Sequence, residues 1–471
     1  MPNQRRRRWR EAMTVRIDLN GLLAATAGAE GVTAEELTAL APELARVRRA
    51  LAERRAAGAL PFADLPKRTE DLAAIVAAAD AARGEFDTCV VLGIGGSALG
   101  TQALLHALGR GRRDGLRCLV SDTIDPFAFA RLLEPLDLAR TLFVVVSKSG
   151  DTAETMARFL IVRDRLLREM GAVDYKRHLL VVTHPTQGSL RQIVNDEGFA
   201  ALPAVPDLDG RFSVLTAAGL LPAALAGIDV AELLAGAAWV DERLQATEDP
   251  LADPALALAG ALWLLATRRE KRIVVLMSYA ERLAAAGDWF CQLWGESLGK
   301  SVDAEGRPVT LAATPVRARG SADQHSQLQL YVDGPRDKVV LFLRVEDHGE
   351  TLDIPAAYQD IEEVGCLGGN ALGAMLNGEQ RATEAALARR GRPSATIVLP
   401  EVRPFTIGQL LALLEWTTVA TALLAGIDPF GAPAIEEGKQ YTFGLMGRPG
   451  YEDRRAEVER QVAMRDPRWI L

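Results

Sequence analysis

Short runs of almost purely apolar, β-branched-rich sequence recur along the chain, separated by amphipathic stretches of helical period, and this alternation is the strongest constraint on the fold. In the first half the runs are Thr88 to Leu92, Arg117 to Val120, Leu142 to Val146 and Leu179 to Val182. A strand that is apolar on both sides must be covered on both faces, which is the condition of a parallel sheet between helical layers. The second half repeats the pattern at Arg272 to Met277, Val309 to Ala312, Val339 to Val345 and Ala395 to Leu399. Helical spacing is predicted there around 254–268, 281–295, 370–390 and 407–425, and earlier over 34–59 and from Leu72 to Ala82. Two sheets fit better than one, because 471 residues exceed what a single core supports. No repeat or low-complexity linker marks a boundary, so the junction is placed at Ala226 to Val230. The tail from Tyr451 to Leu471 reads as a charged helix ending in Trp469 and Ile470, expected to pack on the body or on a second subunit.

Composition narrows the function classes. Apolar types make up 49% of residues, but no uninterrupted apolar run has the ~18–20 residues needed to cross a bilayer. A net charge of −8 gives no general electrostatic footprint for nucleic acid, so a small anion would need a local site. Cys89, Cys118, Cys291 and Cys366 are scattered without a CxxC pair, as expected of free thiols in a reducing compartment. The basic start MPNQRRRRWREAM lacks an apolar h-region and reads as a disordered or surface-bound arm, with Met1 and Met13 both possible starts. His106, His178, His184 and His348 show no metal-binding spacing, so no metal ligand is assigned.

The first chemical signal is VVLGIGGSALG, Val90 to Gly100, in which a buried strand runs through Gly93, Gly95 and Gly96 into a helix starting near Ser97. Glycines let the backbone approach an anion, and the positive end of the helix points at it. Gly93, Gly95 and Ala98 also satisfy a dinucleotide-binding GxGxxA, with Asp122 placed for a ribose, so this turn alone leaves phosphomonoester and dinucleotide open. The second signal is VVVSKSGDTAET, where Ser147, Ser149 and Thr152 bring hydroxyls to another helix start, which suits the remaining oxygens of a terminal phosphate. Helix capping by Ser149, or by Asp151 with Glu154, would use the same amides. GESLGKS, Gly295 to Ser301, is one residue short of a P-loop and follows a helix, so it is not read as a nucleotide site.

LGIGGSALG, SKSGDTAET, DLDGRFSVLTAAGL, WGESLGK, SADQHSQLQL and DPFGAPAIEEGK, in this order over about residues 60–445, resemble the glucose-6-phosphate isomerase (phosphoglucose isomerase) family. The resemblance implies an α/β protein of two SIS-type (sugar-isomerase) three-layer sandwiches with parallel sheets, N-terminal helices and a C-terminal helical tail. The implied divisions are an arm over 1–59, a first domain with the phosphate cradle over 60–226, a second over 227–445 and a tail over 446–471. It also implies reversible isomerisation of glucose 6-phosphate and fructose 6-phosphate in the cytoplasm, without cofactor or metal and without nucleic-acid or membrane partners.

Carried over position by position, Gly96, Ser97, Ser147, Lys148, Ser149 and Thr152 match the cradle, with Lys148 contributing chiefly through its backbone. Glu296 matches the general base that moves a proton between neighbouring sugar carbons through an enediol, work suited to a carboxylate in a water-poor cleft. Arg211 matches the cation opposite the developing enediolate, and Gln292 a residue lining the sugar pocket. His325 matches the ring-opening histidine, supplied across the interface of a homodimer, and Lys439 the lysine that moves the proton at the ring oxygen. Asp151 beside the phosphate turn, Trp294, Gly295 and Leu298 around the base, and the SADQH context depart from the family pattern and bear on sugar preference, mannose 6-phosphate included. Alternatives from other classes are an NAD-dependent oxidoreductase on the first glycine turn and a non-catalytic sugar-phosphate sensor.

Overall fold

The computed structural model describes residues 2–109, 115–309, 311 and 314–471, with side chains from Arg7 onward. The chain forms two compact units, Met1–Pro429 and Phe430–Leu471. The first contains both sheets. In chain order its strands are β1 (Arg16–Asp18), β2 (Thr88–Leu92), β3 (Arg117–Ser121), β4 (Thr141–Ser147), β5 (Leu179–Thr183), β6 (Ala200–Pro203), β7 (Ile273–Ser278), β8 (Thr314–Arg319), β9 (Lys338–Asp347) and β10 (Ser394–Glu401).

One sheet has the order β3-β2-β4-β5-β6 and is parallel throughout. Alternation decides which side chains face which layer. Val90, Leu92, Phe143, Val145 and Val181 share a core with Phe159, Val162 and Leu166 from the helix Ala153–Asp174. Their neighbours Cys89, Val91 and Val144 point the other way and are equally buried, so the sheet is covered on both faces as its all-apolar strands require.

The other sheet has the order β1-β10-β9-β7-β8. Its strands are parallel except β1, which pairs antiparallel with β10 through Ile17 and Ile397. The expected parallel sheets are present, and the second carries one short antiparallel edge strand besides. RID is too short and too polar to register as an apolar run. The strand expected over Val309 to Ala312 falls partly outside the described residues. The strand that is described next, β8, reads TPVRAR and is half exposed, so it lacks the apolar signature, and its proline is tolerable because β8 lies at the sheet edge.

Among the described residues the one helix long and apolar enough to cross a membrane is Pro404–Leu424, and nearly all of it is buried within the protein. It packs so closely on the helix Val230–Ala246 that a Cβ on Gly408 would lie 1.9 Å from the carbonyl oxygen of Leu233, and one on Gly236 2.0 Å from that of Phe405. Of the two readings of the basic start, the surface-bound arm holds: it is a helix, Pro2–Ala12. Its Trp9 and Arg10 lie 5.2 and 5.7 Å from the Phe405 ring.

The unit Phe430–Leu471 holds the helices Pro433–Leu445 and Glu452–Ala463, joined where Arg448 stacks 4.4 Å over Phe443 and Phe443 meets Tyr451 edge-on. Trp469 and Ile470, expected to pack on the body or on a second subunit, are exposed in the single chain.

The N-terminal helix Ala41–Ala56 is fastened by Arg55, which donates to Asp241 at 2.6 and 3.2 Å, while Lys67 reaches the same carboxylate at 2.9 Å. Burial disfavours the charged form of Asp241, but hydrogen bonds from Arg55, Lys67 and Gln245 outweigh it and hold the carboxyl below its usual range. A depressed folded pKa gives stability that is complete above the unfolded value near pH 4 and is lost as pH falls through the folded one. Asp241→Asn should therefore melt well below the wild type at pH 7, and the gap should narrow steadily below about pH 4. Scanning calorimetry from pH 7 to pH 3 checks this, and a pH-independent gap would contradict it.

Candidate active site

Leu92 of β2 pairs with Val145 of β4, so the turns that follow these parallel strands leave the same edge of the sheet as immediate neighbours. The first turn is Gly95–Ser97, which leads to the helix Leu99–Leu108. Gly95 has φ +55, which favours glycine. Gly96 is required for a different reason: a Cβ there would sit 2.1 Å from the backbone of Gly210. Ser213 Oγ closes the contact by donating to the carbonyls of Gly96 and Gly210, at 3.1 and 2.7 Å. Pressing glycine on glycine thus carries the neighbouring Arg211 up to the glycine turn.

In the second turn Ser147 Oγ accepts from the Gly150 amide at 3.1 Å and lies 3.2 Å from Thr152 Oγ1. The capping reading is corrected here. The helix Ala153–Asp174 has Thr152 as its N-cap and no side-chain cap bond, because the Thr152 hydroxyl turns back to Ser147. Ser149 is exposed beside it. Lys148 Nζ donates to the Leu208 carbonyl at 2.9 Å, so its ammonium is directed to protein backbone.

Sequence reasoning passed over Arg158, which ties the helix after the hydroxyl turn to the start of the glycine turn and to the end of β3. This guanidinium is 1% exposed, donates to Gly93 O at 2.9 Å and Ser121 Oγ at 3.1 Å, and is tied to its own helix through Glu154 O at 3.0 Å. Burial lowers its pKa, but an arginine starts high enough to remain charged. Its only sequence signal is a basic residue on the buried face of MARFLIVR.

Arg211 is 2% exposed. It donates through Nε to Ser297 Oγ (2.9 Å), through Nη1 to Glu296 Oε2 (3.1 Å), and through Nη2 to Asp209 Oδ2 (2.9 Å) and Pro429 O (2.6 Å). The ion pair with Asp209, two residues away in the sequence, is therefore present alongside the contact to Glu296. Gln292 and Glu296 are one helical turn apart on Ala284–Leu298, and Gln292 Nε2 donates to Glu296 Oε1 at 3.0 Å. Both carboxylate oxygens are thereby oriented. The same amide nitrogen lies 3.2 Å from where a Cβ on Gly95 would be, which brings the Glu296 helix against the glycine turn. Gln292 Oε1 is buried without a partner among the described residues, an acceptor available to a hydroxyl.

Lys300, the last residue of WGESLGK, was also missed. Its pKa is lowered, first by burial and then by the like charge of Arg211, while Asp209, Asp428 and Glu296 pull the other way. It therefore belongs to the same charged group. Asp122, the residue a dinucleotide reading would use, accepts from Gln102 Nε2 at 3.0 Å.

His325 is exposed on the short turn Ala322–His325 after β8, and its ring makes no hydrogen bond to another described residue. The turn itself is held. Gln324 donates to Tyr279 Oη at 2.6 Å and Thr383 Oγ1 at 2.9 Å, and Ser321 adopts φ +65, a conformation that side chains avoid unless their surroundings enforce it. Lys439 lies on the helix Pro433–Leu445 of the second unit, exposed, with Nζ 2.6 Å from Glu436 Oε1. Among the described residues no group of three or more His, Cys, Asp or Glu is placed to hold a metal ion.

Removing the Arg211 fork strands Glu296 and Asp209 without their cation. Arg211→Ala should cost roughly 2–4 kcal/mol of stability, and Arg211→Lys should recover only part of it because one ammonium cannot reach all the acceptors. Denaturant unfolding of the two variants measures the difference, and an unchanged midpoint for Arg211→Ala would be inconsistent with the geometry.

The phosphoglucose isomerase family model matches residues 69–352, more than half of the chain. Glucose-6-phosphate isomerase of Carboxydothermus hydrogenoformans is 41% identical over 430 residues, covering 89% of this chain and 92% of its own. The enzyme of the same name from Rubrobacter xylanophilus is 41% identical over 433 residues, covering 89% and 96%. A solved structure from Thermus thermophilus, titled as a hypothetical protein, superposes with a TM-score of 0.83 at 36% identity, covering 92% of this chain and 100% of its own. The chain belongs to the phosphoglucose isomerase family.

Proposed function

We propose that the chain interconverts glucose 6-phosphate and fructose 6-phosphate, with the phosphate in the paired turns and the proton transfer at Glu296. The observation that carries this reading is the contact of Arg211 with Glu296 beside the glycine turn. An acid–base carboxylate, a fixed cation and an anion-binding backbone are thereby joined in one site.

The phosphate is held by the backbone at Gly96 and Ser97 and by the hydroxyls of Ser147, Ser149 and Thr152. The backbone of Lys148 completes the cradle. Ring opening precedes isomerisation because the cyclic sugar has no carbonyl to acidify the neighbouring C–H. His325 and Lys439 move the protons of that step. Glu296 then takes the proton from C2 of the aldose and returns it to C1, and Arg211 faces the oxygen on which negative charge builds. Gln292 Oε1 accepts from a sugar hydroxyl.

His325 acts in the site of a second subunit. Two observations support this: the exposed, unpaired imidazole on a rigid turn, and the run of exposed apolar side chains Leu352, Tyr358, Ile361 and Val364, which a monomer would leave in water.

Incubation of the purified protein with fructose 6-phosphate in chelator should yield glucose 6-phosphate, and Glu296→Gln should lower kcat by at least ~100-fold. Equal rates would remove Glu296 from the mechanism. Mixing inactive Glu296→Gln with inactive His325→Ala and allowing subunits to exchange should restore about a quarter of the wild-type rate, since half the dimers then carry one intact site. If His325 served its own subunit, the mixture would stay inactive.

A further inference from the structure

A cavity of about 610 Å³ lies between the helices Ala41–Ala56 and Val230–Ala246, on elements that contribute nothing to the phosphate turns or to Arg211 and Glu296. Its volume falls within the range of small-molecule sites. The floor is apolar, made by Leu51, Leu244 and Trp416, each about 5% exposed or less. The wall is basic, with Arg48, Arg49 and Arg55 against Asp241 and the exposed Glu248. Asp241 is shared by Arg55 and Lys67, which leaves Arg48 and Arg49 as the cations of this wall without a carboxylate partner among the described residues. Arg48 is anchored through Nη1 to the Thr247 carbonyl, and its remaining donors lie along the cavity. Arg49 is exposed and makes no hydrogen bond or ion pair to another described residue.

We propose that this cavity is a second ligand site, separate from the catalytic one, for an organic anion with a compact acidic head and an apolar body. The head pairs with Arg49 and the free edge of Arg48, where a guanidinium fork matches a phosphate or a carboxylate. The body lies over the apolar floor of Leu51, Leu244 and the edge of Trp416. Trp416 is also the first of three packed rings, 4.8 Å from Phe62, which is 5.0 Å from Phe212, the neighbour of Arg211. The site does not depend on the isomerase reading, since none of its residues belongs to that machinery.

The full chain, saturated with fructose 6-phosphate so that the cradle is occupied, is titrated calorimetrically with 1-naphthyl phosphate. Inorganic phosphate and 1-naphthol serve as head-only and body-only probes, and 1-naphthoate tests a carboxylate head. One saturable event per chain is expected for 1-naphthyl phosphate, with quenching of tryptophan fluorescence that Trp416→Phe removes. Either fragment should bind at least ~10-fold more weakly, as should Arg49→Glu, which removes the head partner, and Ala52→Phe, which fills the space without touching a charge. Both positions are exposed, and unchanged thermal unfolding verifies that the variants are folded. Absence of binding, displacement by fructose 6-phosphate, or affinity unchanged in both folded variants would overturn the proposal.

Discussion

The buried guanidinium of Arg211 is the interaction on which the site depends. Its donors end on Ser297 and Glu296 from one helix, on Asp209 from its own turn and on the carbonyl of Pro429. A charge removed from water at this depth costs several kcal/mol unless its donors are matched, and here acceptors from separate parts of the chain match them. Because those acceptors are brought together only when the elements around them are correctly packed, the arginine is charged, oriented and satisfied in one arrangement of the fold.

That arrangement is set by backbone contact more than by side-chain fit. Gly96 and Gly210 approach so closely that no side chain could stand between them, and Arg158 ties the helix that follows the hydroxyl turn to Gly93. The two turns can serve one dianion because β2 and β4 are adjacent and parallel, so the helices following them start side by side. A parallel sheet thus places two positive helix ends at one edge, and the glycines determine how near a ligand can come.

How much of this was legible in the sequence follows from where apolar residues concentrate. β2, β4 and β5 lie inside their sheet and read as unbroken apolar runs, and their limits fell within a residue or two of the observed ones. β1, β6 and β8 are edge strands with one side or one end in water, so their composition, RID, AALP and TPVRAR, carries no periodic signal. The glycine and hydroxyl turns were visible because they interrupt apolar strands. Glu296, Arg211 and His325 have no such marking; each is a single polar residue that only the ordered set of motifs singled out. Arg158 and Lys300 were not found, since their importance lies in which distant carbonyls and charges they meet, a property of tertiary packing and not of local spacing.

The geometry also bears on why the proposed reaction could proceed with little rearrangement. At rest Arg211 faces two carboxylates, Glu296 and Asp209. In the proposed reaction Glu296 is neutralised when it accepts the substrate proton, and at that moment a negative charge grows on the sugar oxygen. The number of anions around the guanidinium stays constant through the transfer, because one leaves Glu296 as another forms on the substrate. Asp209 and Ser297 meanwhile keep the fork from turning, so the electrostatic response is built in before the reaction begins, and stabilisation of the transition state requires no reorientation of dipoles. On the proposed reading the carboxylate that accepts the proton is also the partner that frees the arginine for the enediolate, so the proposed base and electrophile are coupled by a single 3.1 Å hydrogen bond.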